Sequence, residues 1–193
     1  MRLWLLSGAA LVVLMLQGCA GTPAIMNAAQ EKSLQSLQLF HSDGSPQFTL
    51  YLTCSEKHGS CGTPENSFYN WSRSRNIHLH VIEPDEGLSA TDTTAAGVHE
   101  AARYRVMIEL TPIIVPSLDE SGGLHGNMRE GYHPPRVGYN ATIRVFEVAT
   151  GKLLLEVQAH DEEDAKYKGD ASPYVHAQMH ALIQSLDPGY QES

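Results

Sequence analysis

From Tyr104 to Thr111 the chain alternates: Tyr104, Val106, Ile108 and Leu110 are separated by Arg105, Met107, Glu109 and Thr111. Successive side chains on a strand point to opposite faces, so this period of two predicts a half-buried strand. The same period recurs in Phe48, Leu50, Leu52 and Cys54, set between Thr49, Tyr51 and Thr53, and again in Ile77, Leu79 and Val81. Two further strands, Val137 to Val148 and Lys152 to His160, flank Ala149-Thr150-Gly151, where Gly151 suits the left-handed position of a three-residue hairpin loop. In the second of these, Leu153, Leu155, Val157 and Ala159 face one way, and Lys152, Glu156, Gln158 and His160 the other. A sheet of such strands buries one face and leaves the other wet or partnered. Pro112 and Pro116 place the far end of the Tyr104 strand at an edge or a bulge, because proline cannot donate to a ladder.

The buried face needs a cover, and helical spacing supplies it. Val175, Met179, Leu182, Ile183 and Leu186 form an apolar stripe that starts after Ser172-Pro173 and stops at Asp187-Pro188-Gly189. Pro64 to Arg75, with Phe68, Tyr69 and Trp71, predicts one short helix, and Thr91 to Thr94 can cap another over Ala95 to Ala102. Asn27 with Gln30 can cap a helix running to Phe40, or the same residues can feed an extended segment towards the Asp43-Gly44 turn; both readings stay open. Ser117 to Pro135, rich in glycine, predicts a long loop of the kind that is functional or disordered. The expected architecture is α+β, a two-layer mixed sheet with helices on one face. Its order is strand, helix, strand, helix, strand, hairpin, helix.

The amino terminus constrains the compartment. Arg2 is followed by an apolar stretch from Leu3 to Leu16 and then by Gln17-Gly18-Cys19. The stretch is short for a membrane span, which needs roughly 20 residues, and suits the core of a secretion signal. Leu16-Gln17-Gly18-Cys19 resembles the lipobox of bacterial lipoproteins, although Gln17 stands where a small residue is usual. The resemblance implies cleavage before Cys19 and acylation of that cysteine. Ala20 in place of Asp implies sorting to the outer membrane, most simply at its periplasmic face. The expected division is a signal peptide over residues 1–18, a tether over 19–30 and one periplasmic domain over 31–190.

Several acyl chains on one cysteine anchor firmly, so the bilayer contact is the lipid. The signal takes Arg2 with it, and the formal charge moves from −9 to −10. That balance argues against nucleic acid and against adsorption on anionic headgroups, both of which reward clustered Lys and Arg. With Cys19 lipidated, Cys54 and Cys61 remain as a pair in an oxidising compartment, with Gly59 and Ser60 making the loop between them pliable. They lack Cys-x-x-Cys spacing and a flanking basic cluster, which favours a structural disulfide over a redox site.

Ala101-Ala102-Arg103-Tyr104 and the later run Asn140-Ala141-Thr142-Ile143-Arg144-Val145-Phe146-Glu147-Val148-Ala149-Thr150-Gly151-Lys152-Leu153-Leu154 resemble periplasmic lipoprotein domains related to the amino-terminal domain of TolB. These include accessory lipoproteins of curli secretion, exopolysaccharide export and peptidoglycan synthase activation. The likeness is one of pattern, and it implies a helix leading into a strand, a Thr-Gly hairpin before the last helix, and an accessory role beside an envelope protein. The Cys54 to Cys61 loop has no counterpart in that pattern.

No catalytic set accompanies these elements. Asp119-Glu120-Ser121-Gly122-Gly123 resembles the nucleophile loop of chymotrypsin-like proteases, but the histidine and aspartate motifs that a triad requires do not precede it. Asp161-Glu162-Glu163-Asp164 can attract a hard cation, yet such a run is more often a solvated turn. Ten histidines are many for this length. His78 and His80 share a strand face, and His176 and His180 share a helix face, so either pair can offer imidazoles to zinc or copper, with His125 and His133 as further ligands. The bland alternative makes all of them exposed polar residues. Two readings follow: a non-enzymatic docking or accessory module of the cell envelope, without cofactor, and a metal-binding envelope lipoprotein. An envelope hydrolase has only Ser121 behind it.

Overall fold

The structure is a computed structural model that describes residues 26–57, 59–83, 102–115, 118–119, 132–133, 135–165 and 171–191. Helix α1 spans Ala28–Ser36, followed by strand β1 (Phe48–Cys54), helix α2 (Gly62–Arg75), strand β2 (His78–Ile82) and strand β3 (Tyr104–Val115). Short strands β4 (Leu118–Asp119) and β5 (Tyr132–His133) come next. Strand β6 (Arg136–Glu147), strand β7 (Leu153–Asp164) and helix α3 (Ser172–Leu186) complete the fold.

The five-stranded sheet has the order β2-β1-β3-β6-β7. Strand β1 pairs in parallel with β2 and β3, while β3, β6 and β7 form an antiparallel meander. Parallel neighbours need long crossovers. One is α2; the other runs through residues 84–101, and the helix expected at Ala95 to Ala102 lies outside the described residues except for Ala102. The α+β two-layer architecture is as the periodicity predicts.

Alternation decides the faces. Phe48, Leu50 and Leu52 of β1, Val106, Ile108 and Leu110 of β3, and Ile143 and Val145 of β6 join one core with Phe68 and Trp71 of α2 and Met179, Leu182 and Ile183 of α3. The whole predicted α3 stripe is buried. Each such side chain contributes about 1.5–3 kcal/mol of transfer free energy, which is what binds the helices to this face.

Pro112 lies inside β3, opposite Tyr139 of β6. Ser55 N–H donates to the Leu110 carbonyl, so Leu110, and by alternation Pro112, turn their backbone towards β1. Strand β1 has already ended at Cys54, so Pro112, which has no N–H to donate, lies beyond the β1–β3 ladder. Cys54 and Cys61 are joined, with Cα atoms 5.8 Å apart. Their loop brings Gly59 against Pro112 and Ile114: a Cβ on Gly59 would stand 3.0 Å from Ile114 Cγ1. The disulfide loop thus seals the part of the β3 edge that β1 does not reach.

Three boundaries differ from expectation. The tether expected to reach residue 30 overlaps α1, which starts at Ala28 behind a capping box of Asn27 and Gln30, and Met26 is already buried. Helix α1 stops well before Phe40; Gln38 takes φ +49°, and Phe40 bridges to Pro46 around the turn at Gly44, so the helical and extended readings each describe part of the segment. The acidic run Asp161 to Asp164 is not a turn but the end of β7: Asp161 faces the core, while Glu162 faces outwards and pairs with Arg136 at 2.9 Å. Within the expected loop, Leu118 pairs with His133 and Asp119 with Tyr132. Gly151 takes the left-handed position as predicted (φ +65°), with its N–H donating to the Glu147 carbonyl at 2.8 Å, but β6 ends at Glu147 and β7 starts at Leu153, so the loop is longer than the three residues expected.

Candidate functional site

With the helices on one side, the other side of the sheet is the broad surface the strands themselves present. Register builds it. Tyr51 of β1 lies between His80 of β2 and Met107 of β3, because β1 pairs in parallel with both strands. The Tyr51 and His80 rings stack at 4.8 Å with 17° between planes, and the Arg105 guanidinium sits 5.4 Å from the Tyr51 ring centre. Met107 is only 5% exposed although it points away from the helices. Partial burial, and then the neighbouring His78, hold the His80 imidazole below its ordinary pKa, which keeps it neutral at pH 7.

Farther across the sheet the same face is closed by ion pairs. Arg144 of β6 reaches Glu109 of β3 and Glu156 of β7, both at 2.6 Å, tying three strands together. Asn140 Oδ1 and His160 Nδ1 lie 2.8 Å apart, and His160 Nε2 lies 3.8 Å from Glu162. The outer face therefore has two ends of different character: an aromatic and cationic end on β2, β1 and the start of β3, and a charge-paired end on β3, β6 and β7.

The sequence-predicted site residues fall as follows. Cys19, Ser121 and His125 lie outside the described residues, and of His133 only the backbone, in β5, is described. His78 and His80 share the outer face of β2, as their spacing predicts. His176 and His180 lie on α3, across the sheet from that face, and the His180 ring is 5.7 Å from that of Tyr190. The two pairs are not brought together. Among the described residues the group of three metal-type ligands found close together is Cys54, Cys61 and Glu65, and its two sulfurs are consumed in the disulfide. Burial raises the Glu65 carboxyl above the ordinary carboxylate range.

Two constellations were not legible beforehand. One is the His80, Tyr51 and Arg105 ladder, whose members are distant in sequence and meet only through parallel register. The other is Asp187, which the sequence marks only as a helix stop. Its carboxylate is buried between the helices, accepting from Trp71 Nε1 at 3.0 Å and from Arg75 Nε and Nη2 at 2.7 and 2.8 Å. Near the far end of the core, the Tyr139 hydroxyl and Gln178 Oε1 are buried without a hydrogen-bond partner among the described residues. Asp161 lies opposite Tyr139 in register, its carboxyl raised in pKa by burial.

No protein family matches the sequence, and no curated protein matches it. Among solved structures the chain is similar to a PelC dodecamer from Paraburkholderia phytofirmans, at 11% identity and a TM-score of 0.38, covering 72% of this chain and 86% of that one. It is also similar to lipoprotein GNA1162 from Neisseria meningitidis, at 11% identity and a TM-score of 0.32, covering 70% of this chain and 99% of that one. Neither likeness bears on what this chain does.

Proposed function

We propose that this chain is a lipid-anchored, non-enzymatic docking module of the bacterial cell envelope, held at the outer membrane through Cys19 and binding an envelope protein with the outer face of its sheet. The single observation that carries this reading is the one-sided architecture: the helices of the described residues pack on one face of the sheet, and the opposite face presents Tyr51, His80 and Arg105 with no described helix over them. The lipobox-like Leu16 to Cys19 supplies the anchor, and no helix of the described residues is long and apolar enough to cross a membrane.

Two paired measurements test it. Replacing Cys19 by Ser is expected to abolish acylation and release the protein from the membrane fraction. A photo-crosslinking residue at Thr49 or Thr53, on the outer face, is expected to capture an envelope protein in cells, whereas one at Gln184, on the exposed side of α3, is not. Equal capture from both positions, or a membrane-bound Cys19→Ser protein, overturns the reading.

A further inference from the structure

We infer that the β2, β1 and β3 end of the outer face is a seat for an acidic polypeptide segment, whose carboxylate takes the guanidinium of Arg105 where it lies on the Tyr51 ring. This rests on the docking reading above and names the chemistry of the partner. Three arginines stand on the outer face within strands, and two of them are neutralised: Arg136 by Glu162, and Arg144 by Glu109 and Glu156. Arg105 has an aromatic ring instead and no carboxylate partner among the described residues, and strands β1 and β2 beside it contain no acidic residue. In a chain of formal charge −9 this is a deliberate local inversion of sign, and complementary charge is what steers and registers an encounter.

The geometry suits a carboxylate. A guanidinium that already rests over a ring, as Arg105 does at 5.4 Å from the Tyr51 centre, loses less side-chain freedom when a carboxylate binds its planar fork of donors in two-pronged fashion. Tyr51 is itself stacked on His80, and the buried Met107 stands beside it in register as an apolar neighbour. The hydroxyls of Thr49 and Thr53 flank Tyr51 on the same face and offer donors to neighbouring oxygens. A membrane surface or a nucleic acid is a poorer match, because polyphosphate needs clustered Lys and Arg and this seat offers one arginine within an acidic domain.

The test uses the mature chain and a fluorescein-labelled octapeptide alternating Glu and Val, with the Gln and Val peptide as control, followed by anisotropy at low and high salt. The Glu peptide is expected to bind about tenfold more tightly than the Gln peptide and to weaken with salt. Arg105→Gln is expected to remove that difference, Arg105→Lys to retain part of it, and Arg136→Gln to leave it unchanged, all with unaltered thermal melting. Equal binding of the two peptides, an unaffected Arg105→Gln protein, or preferential binding to phosphatidylglycerol vesicles overturns the proposal. If crosslinks from Thr49 and Thr53 persist while Arg105→Gln changes neither peptide nor crosslink, the acidic seat falls and the docking reading stands.

Discussion

Arg75 and Arg105 each lie against an aromatic ring, Arg75 at 5.8 Å from Phe40 and Arg105 at 5.4 Å from Tyr51, yet they sit on opposite sides of the sheet. On the helix side, Arg75 also grips the Asp187 carboxylate, which in turn satisfies the Trp71 indole N–H. Its charge is spent inside the molecule, joining the end of α2 to the end of α3. On the outer side Arg105 has no carboxylate among the described residues. The difference separates polar groups that hold the layers together from those that remain available. Desolvated pairs resist separation, whereas solvated ones cost little to rearrange.

The sharpest way to break this comparison is to delete a carboxylate on each side. Asp187→Ala leaves the Trp71 N–H in a dry site and the Arg75 guanidinium, 28% exposed, without its partner. We expect a loss of about 3 kcal/mol, at the low end for a broken buried pair because Arg75 still reaches water. Glu156→Ala on the outer face is expected to cost under about 0.5 kcal/mol, since Arg144 keeps Glu109. Urea midpoints at constant m-value measure both, and equal losses would erase the distinction between the faces.

The next effect belongs to the edge that the Cys loop seals. Reducing Cys54–Cys61 is expected to lower stability by about 2 kcal/mol, from the chain entropy returned to the unfolded state. Hydrogen exchange should rise first around Pro112 to Ile114, which Gly59 covers. Uniform exchange across the sheet after reduction would show that the loop does not protect that edge.

The smallest effect concerns Asp161, a carboxylate on the core side with no ion pair among the described residues. Burial raises the Asp161 pKa above its ordinary 3.8, so its favourable contribution is complete below that value and is lost as pH rises through the folded-state pKa. At pH 7 the ionised form is a cost. Asp161→Asn should therefore raise the melting temperature at pH 7 and have little effect at pH 3. A destabilised variant at pH 7 would mean that the hydrogen bond Asp161 accepts from Glu162 N–H outweighs its burial.

Much of the fold was legible because it is written in local periods. The alternation in Phe48 to Cys54 and in Tyr104 to Leu110, the stripe from Val175 to Leu186 and the Gly151 hairpin each depend on neighbours a few residues apart. The acidic run at Asp161 misled because composition does not reveal that β7 continues through it, turning one carboxylate to the core and the next to Arg136. The expected tether over 19–30 overlaps α1, whose Asn27 and Gln30 capping box is a local signal in the same stretch.

Alternation and helical spacing thus determined which residues form strands and helices and which side of each is apolar, since both are properties of a single segment. Only the tertiary structure decided the strand order, the parallel register that sets Tyr51 between His80 and Met107, and the meeting of Asp187 with Arg75 and Trp71. Those pairings join residues distant in sequence, and they are selected by the packing of the whole core rather than by any preference within one stretch of chain.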